Sequence, residues 1–120
     1  MTANAVIEYV DGIKPNIFSE EDKFGWINRL NGMISTTVHG ESEAVQLKFP
    51  ADGDTELIVP FPYDDVYWMY VAAMIDLHNR EYSGYNNFAS MFGDKLDEYK
   101  AYYIRRNSPA KADNFKNVMG

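Results

Sequence analysis

Cysteine is missing from the chain, which excludes disulfides and every thiolate-based metal or redox site. Histidine is almost missing: His39 and His78 are the two present. That leaves little from which a Ser–His–Asp or Cys–His catalytic arrangement can be built, and no glycine-rich phosphate loop occurs. Basic residues are scarce, 11 Lys and Arg against 18 Asp and Glu, for a net charge of −7. A protein that grips nucleic acid needs a cationic footprint to displace counterions, and none is visible here. No apolar run approaches the roughly 20 residues that span a bilayer. The start, Met1-Thr2-Ala3-Asn4-Ala5, has neither the basic region nor the apolar run of a signal peptide. The expectation is a soluble cytosolic protein that is not an enzyme, with no catalytic residue, no metal, no cofactor and no membrane contact.

Apolar residues make up 46% of the 120 residues, enough for one hydrophobic core and too much for a disordered chain. Aromatics reach 15%, with nine tyrosines, whose wide ring and wet hydroxyl suit interfaces as well as cores.

Helix signals dominate the order of the chain. Thr2 is placed to cap a short first helix carrying Val6, Tyr9, Val10 and Ile13 on one face, which Lys14-Pro15-Asn16 stops. Ser19-Glu20-Glu21-Asp22 starts a second helix, with three carboxylates at the positive end of its dipole. Phe24, Ile27, Leu30, Met33 or Ile34, and Val38 form its apolar stripe, and it ends near Ser35 to Thr37. Gly25 and Gly32 interrupt it without stopping it. Val45, Leu47 and Phe49 then alternate with Gln46 and Lys48, a strand pattern. The turn Pro50 to Asp54 and the segment Glu56-Leu57-Ile58-Val59 complete an expected β-hairpin. Asp52-Gly53-Asp54 lacks the glycine and glutamate spacing of an EF-hand, so it is read as a solvated acidic turn.

Residues 60 to 106 predict two long antiparallel helices. One carries Tyr63, Val66, Tyr67, Tyr70, Ala73, Met74 and Leu77; the other carries Tyr85, Phe88, Met91, Phe92, Leu96, Tyr99 and Tyr103. Ser83-Gly84 is read as the corner, with Ser83 as the cap of the fourth helix. His78 and Glu81 have metal-binding spacing, but no second such pair faces them, so His78 is read as making a surface or interhelix polar contact. The predicted fold is mainly α: a four-helix domain over residues 1–106, with a long helical hairpin and a short β-hairpin insertion, and a flexible tail over 107–120.

The third helix is apolar nearly all round, since Trp68, Met69, Val71, Ala72 and Ile75 add to its main stripe. Central burial on every side is hard to arrange in a chain this short, so these residues, with Phe115 of the tail, are the expected subunit interface. Trp68→Ala or Ile75→Glu is then expected to impair assembly more than folding.

The hairpin also carries a family resemblance. Pro60-Phe61-Pro62-Tyr63-Asp64-Asp65-Val66-Tyr67, the corner Asn79-Arg80-Glu81-Tyr82-Ser83-Gly84-Tyr85-Asn86-Asn87, and Met91-Phe92 resemble small proteins of prophages and tailed phages of low-GC Gram-positive bacteria. Lys14 to Glu21, with Trp26-Ile27 behind, is similar to the same pattern. The resemblance implies a head–tail connector, or head-completion, protein: a helical adaptor that forms a homo-oligomeric ring under the portal. Its implied partners are the portal protein and a downstream neck or tail-completion protein, with DNA passing through the ring unbound. It implies residence in the host cytoplasm during assembly and then in the virion neck. A different expectation from the acidic composition alone is a small phage-encoded binding or regulatory module acting on a host protein.

Overall fold

A computed structural model describes residues 1–107. Four helices follow one another: α1 (Ala3–Ile13), α2 (Glu20–Thr37), α3 (Asp65–His78) and α4 (Tyr82–Arg106). The expected start signals operate as read. Thr2 Oγ1 accepts from the Ala5 N–H at 3.1 Å, and Ser19 Oγ accepts from the Asp22 N–H at 3.0 Å. Each hydroxyl satisfies a donor that has no partner inside its helix. Behind the second cap, Lys23 is buried, and its ammonium meets Asp11 Oδ1 at 2.6 Å and Asn16 Oδ1 at 3.1 Å. These bonds clamp the α1–α2 turn.

The helices alternate in direction around α3, which lies at the centre. α1, α2 and α4 each pack against it, with α4 as its most extensive partner. Its buried residues, Val66, Tyr67, Met69, Val71, Ala72, Ala73, Ile75 and Asp76, point to several sides of the helix. This corrects the inference that an all-round apolar helix needs a second subunit. Three neighbouring helices suffice to surround a helix of 14 residues, because helix axes pack only about 8–10 Å apart. α4 has 25 residues, about 37 Å at helical rise, and buries one stripe against α3.

The corner between α3 and α4 is not Ser83-Gly84. The Glu81 N–H donates to Asp76 O at 2.8 Å, and the Arg80 N–H to Leu77 O at 3.1 Å. Arg80 takes a positive φ of 59°. This is the Schellman pattern that closes helix C-termini, with arginine where glycine is usual. Ser83 and Gly84 already belong to the first turn of α4, which has no side-chain cap. Glycine at 84 has another cause: a Cβ there would collide with the buried carboxylate of Asp76.

The expected β-hairpin does not form. Among the described residues the sole β pairing is an isolated bridge between Thr2 and Glu56. The long connection from α2 to α3 instead lies on the helices, and their side chains take the N–H groups a partner strand would have taken. Ser35 Oγ accepts from Val45 N–H at 3.0 Å, and Asn28 Oδ1 from Leu47 N–H at 2.8 Å. Asn31 Oδ1 accepts from Ile58 N–H at 3.0 Å, and Tyr67 OH accepts from Val59 N–H at 3.0 Å. Tyr67 in turn donates to Asn31 at 2.7 Å inside the core. Gly32 lets the connection approach, since a Cβ there would lie 2.9 Å from Val45 O. Consequently Val45 and Phe49 stay partly exposed, Phe49 with its ring edge-to-face against Phe24, while Leu57 and Val59 complete the core.

Among the described residues, no helix is long and apolar enough to cross a membrane. The tail beyond Asn107, including Phe115, lies outside the described residues.

Candidate functional site

The residues proposed from sequence as an interface are placed as follows. Met69, Val71, Ala72 and Ile75 are buried within the chain, so their apolar area is already used. Trp68 is half-buried between Tyr9 and Phe88, at ring-centroid distances of 5.3 and 6.3 Å. Its indole N–H donates to Asp65 at 3.1 Å. Phe115 falls in the part not described. The five on α3 therefore do not form one exposed patch.

The acidic residues between Asp52 and Asp65 are dispersed to separate tasks. Asp52 accepts from the Lys48 N–H, Asp54 from Asn4, and Glu56 faces the N-terminal ammonium at 2.6 Å. Asp64 also faces that ammonium, at 3.5 Å, whereas its neighbour Asp65 serves Trp68.

A groove of about 390 Å³ opens instead between α2 and α3. Glu21, Asp22, Gly25, Trp26 and Arg29 form the α2 wall; Tyr70, Met74 and His78 form the α3 wall. The helices run antiparallel, so the two carboxylates lie near His78 and Arg29 lies near Tyr70. Trp26 stacks on His78 at 5.1 Å, and Phe18 packs on the edges of both. His78 Nδ1 bonds to Met74 O at 2.8 Å, the helix-surface contact expected of it. The Tyr70 hydroxyl is pushed up from its ordinary pKa by burial, against the opposing pull of the Arg29 charge. Arg29 forms no ion pair with any described residue. The groove thus has an acidic end, an aromatic floor and a cationic end.

No family model, curated protein or solved structure matches the chain. The reading of the site therefore rests on its own geometry.

Sequence reasoning noticed Gly25 only as a weak point of α2. A Cβ on it would meet nothing within 4 Å, so no close approach accounts for it. Glycine inside a helix costs about 1 kcal/mol relative to alanine. Glu21, Gly25 and Arg29 fall at successive steps of four, one face of a helix, and that spacing was the signal available.

A second polar cluster ties the end of α2 to α4. His39 Nε2 lies 2.5 Å from Tyr99 OH, and its ring stacks on Tyr103 at 4.4 Å. Tyr63 and Tyr102 extend the aromatic group. Burial pushes Tyr99 up to about 12, and burial lowers the His39 pKa, with Glu41 opposing. A histidine with a depressed folded pKa leaves stability intact above its unfolded pKa, near 6.5, and erodes it as pH falls below that value. We expect the melting temperature to drop as pH falls from about 6.5 toward 5, and His39→Gln to flatten that part of the profile. A wild-type curve already flat there contradicts the assignment.

Proposed function

We propose that this chain is a structural head–tail connector protein of a tailed phage or prophage. It oligomerises under the portal and joins the capsid vertex to a downstream neck or tail-completion protein. The observation that carries this reading is that both ends of the helical bundle present large apolar side chains to solvent. At the end formed by the α1–α2 turn and the α3–α4 corner, Ile13, Ile17, Leu77 and Tyr82 are exposed, Ile17 by 94%. At the other end Phe61 is 85% exposed, displayed between Pro60 and Pro62, and Ile104 projects from the last turn of α4. Exposed apolar groups gathered at one place mark contacts with other proteins. Gathered at both ends, they suit a part held between two neighbours.

The charge is compatible with the same role. At −7 the chain repels a DNA backbone, so a lumen of such subunits lets DNA slide without gripping it. The chain works in the host cytoplasm during assembly and in the virion neck afterwards.

Light scattering of the purified chain, with and without the cognate portal protein, tests this. A larger complex is expected with portal. A strict monomer that ignores portal refutes the connector reading. Ile17→Glu with Tyr82→Glu, and separately Phe61→Glu, are expected to lose one neighbour each while the helical circular dichroism stays unchanged.

A further inference from the structure

The α2–α3 groove has a counterpart on the same molecule. On α4, the face turned away from α3 presents Asp97, Ala101, Ile104 and Arg105, all exposed, Ile104 by 58%. Asp97, Ala101 and Arg105 repeat the order acid, small residue, base, at the same steps of four as Glu21, Gly25 and Arg29. In each set the charges are eight positions apart, about 12 Å along a helix. Two helices with this pattern pair acid with base at both ends only when they run antiparallel.

We propose that the groove receives the last turns of α4 from a second copy of the chain, antiparallel to α2. Arg105 of the incoming helix then faces Glu21 and Asp22, and its Asp97 faces Arg29. Ala101 and Ile104 lie over Gly25 and Trp26, where the missing side chain of Gly25 admits the helix closely. Glu98 and Lys100 flank the incoming face and stay solvated. The groove and the α4 face are different surfaces of one chain, so the contact is head-to-tail and propagates from copy to copy instead of closing a two-fold dimer. Two turns of helix bury less than the roughly 1,200–2,000 Å² of a stable pairwise interface. Assembly through this contact is therefore concentration-dependent until a ring closes or a partner templates it.

This inference rests on the proposed self-assembly, and the experiment separates the two. The chain has no cysteine, so Met33→Cys with Asp94→Cys, exposed positions one turn beyond Arg29 and Asp97 on the two faces, provides the sole thiols and leaves Gly25 and Ala101 in place. Treated with a short bifunctional thiol cross-linker at high protein concentration, the double variant is expected to give a ladder of trimers and larger species. Each single variant stops at dimers, because a head-to-tail link needs one residue of each kind. In the double-cysteine chain, Arg29→Glu or Asp97→Arg is expected to weaken the ladder by about tenfold or more, and the two together to restore it. Circular dichroism confirms that each variant is folded. Loss without rescue, or no ladder where the unsubstituted chain oligomerises by light scattering, overturns this contact and leaves self-assembly standing. If neither cross-linking nor light scattering finds oligomers, alone or with portal, both readings fall.

Discussion

Ile75→Glu is expected to unfold the isolated chain, not merely to prevent its assembly. Ile75 is almost fully buried and sits on the central helix, among the core residues contributed by all four helices. A carboxylate placed there loses its hydration and finds no cation among the neighbouring core residues. Such substitutions reach about 4–5 kcal/mol, comparable with the whole stability of a small domain, about 5–15 kcal/mol. Thermal melting followed by circular dichroism is the measurement. A folded monomer melting within a few degrees of wild type would show that Ile75 is not in the core, and would return the third helix to the interface role its sequence suggested.

Lys14→Met should be nearly as damaging, for a less visible reason. Asp76 is fully buried on α3, and outside its ion pair with Lys14 its carboxylate finds no hydrogen-bond donor among the described residues. Its charged partner is Lys14 at the end of α1, whose ammonium lies 2.5 Å from Oδ1 and 5.3 Å from the centre of the Phe88 ring. The first turn of α4, around Gly84, adds the positive end of a helix dipole. Removing the lysine leaves a buried, uncompensated carboxylate, a change worth about 3–5 kcal/mol. Lys14→Met with Asp76→Leu removes both charges and should recover most of that loss, since apolar replacement of a buried pair is often neutral. Urea denaturation of the two single variants and the double variant gives the coupling directly. A double-variant loss equal to the sum of the two single losses would mean that the pair contributes nothing.

The residues legible in advance are those whose partners are close in sequence. Ser19 caps the N–H three residues ahead of it, and Pro15 stops α1 from within its own turn. Phe24, Ile27, Leu30 and Ile34 lie on one buried face because the helix period places them there. Val45, Leu47 and Phe49 misled for the opposite reason. Their alternation is real, but a strand needs a partner strand, and Ser35 and Asn28 of α2 took the available N–H groups. The candidate groove was hidden similarly. Its α2 wall is one helical face in sequence, whereas Tyr70, Met74 and His78 join it only through the packing of α3.

A net charge of −7, the absence of thiol chemistry, four helices and most of their ends are legible in the residues themselves. Helices are held by bonds between residues four apart, so local order suffices to specify them. Only the tertiary structure decided which helix is central, and thereby that the apolar excess of α3 is core. It also decided that the connection from α2 to α3 lies on helix side chains, and that Asp76 is buried against Lys14. Each depends on contacts between residues far apart in the chain, where one set of apolar and polar groups has several ways to be satisfied and packing selects among them.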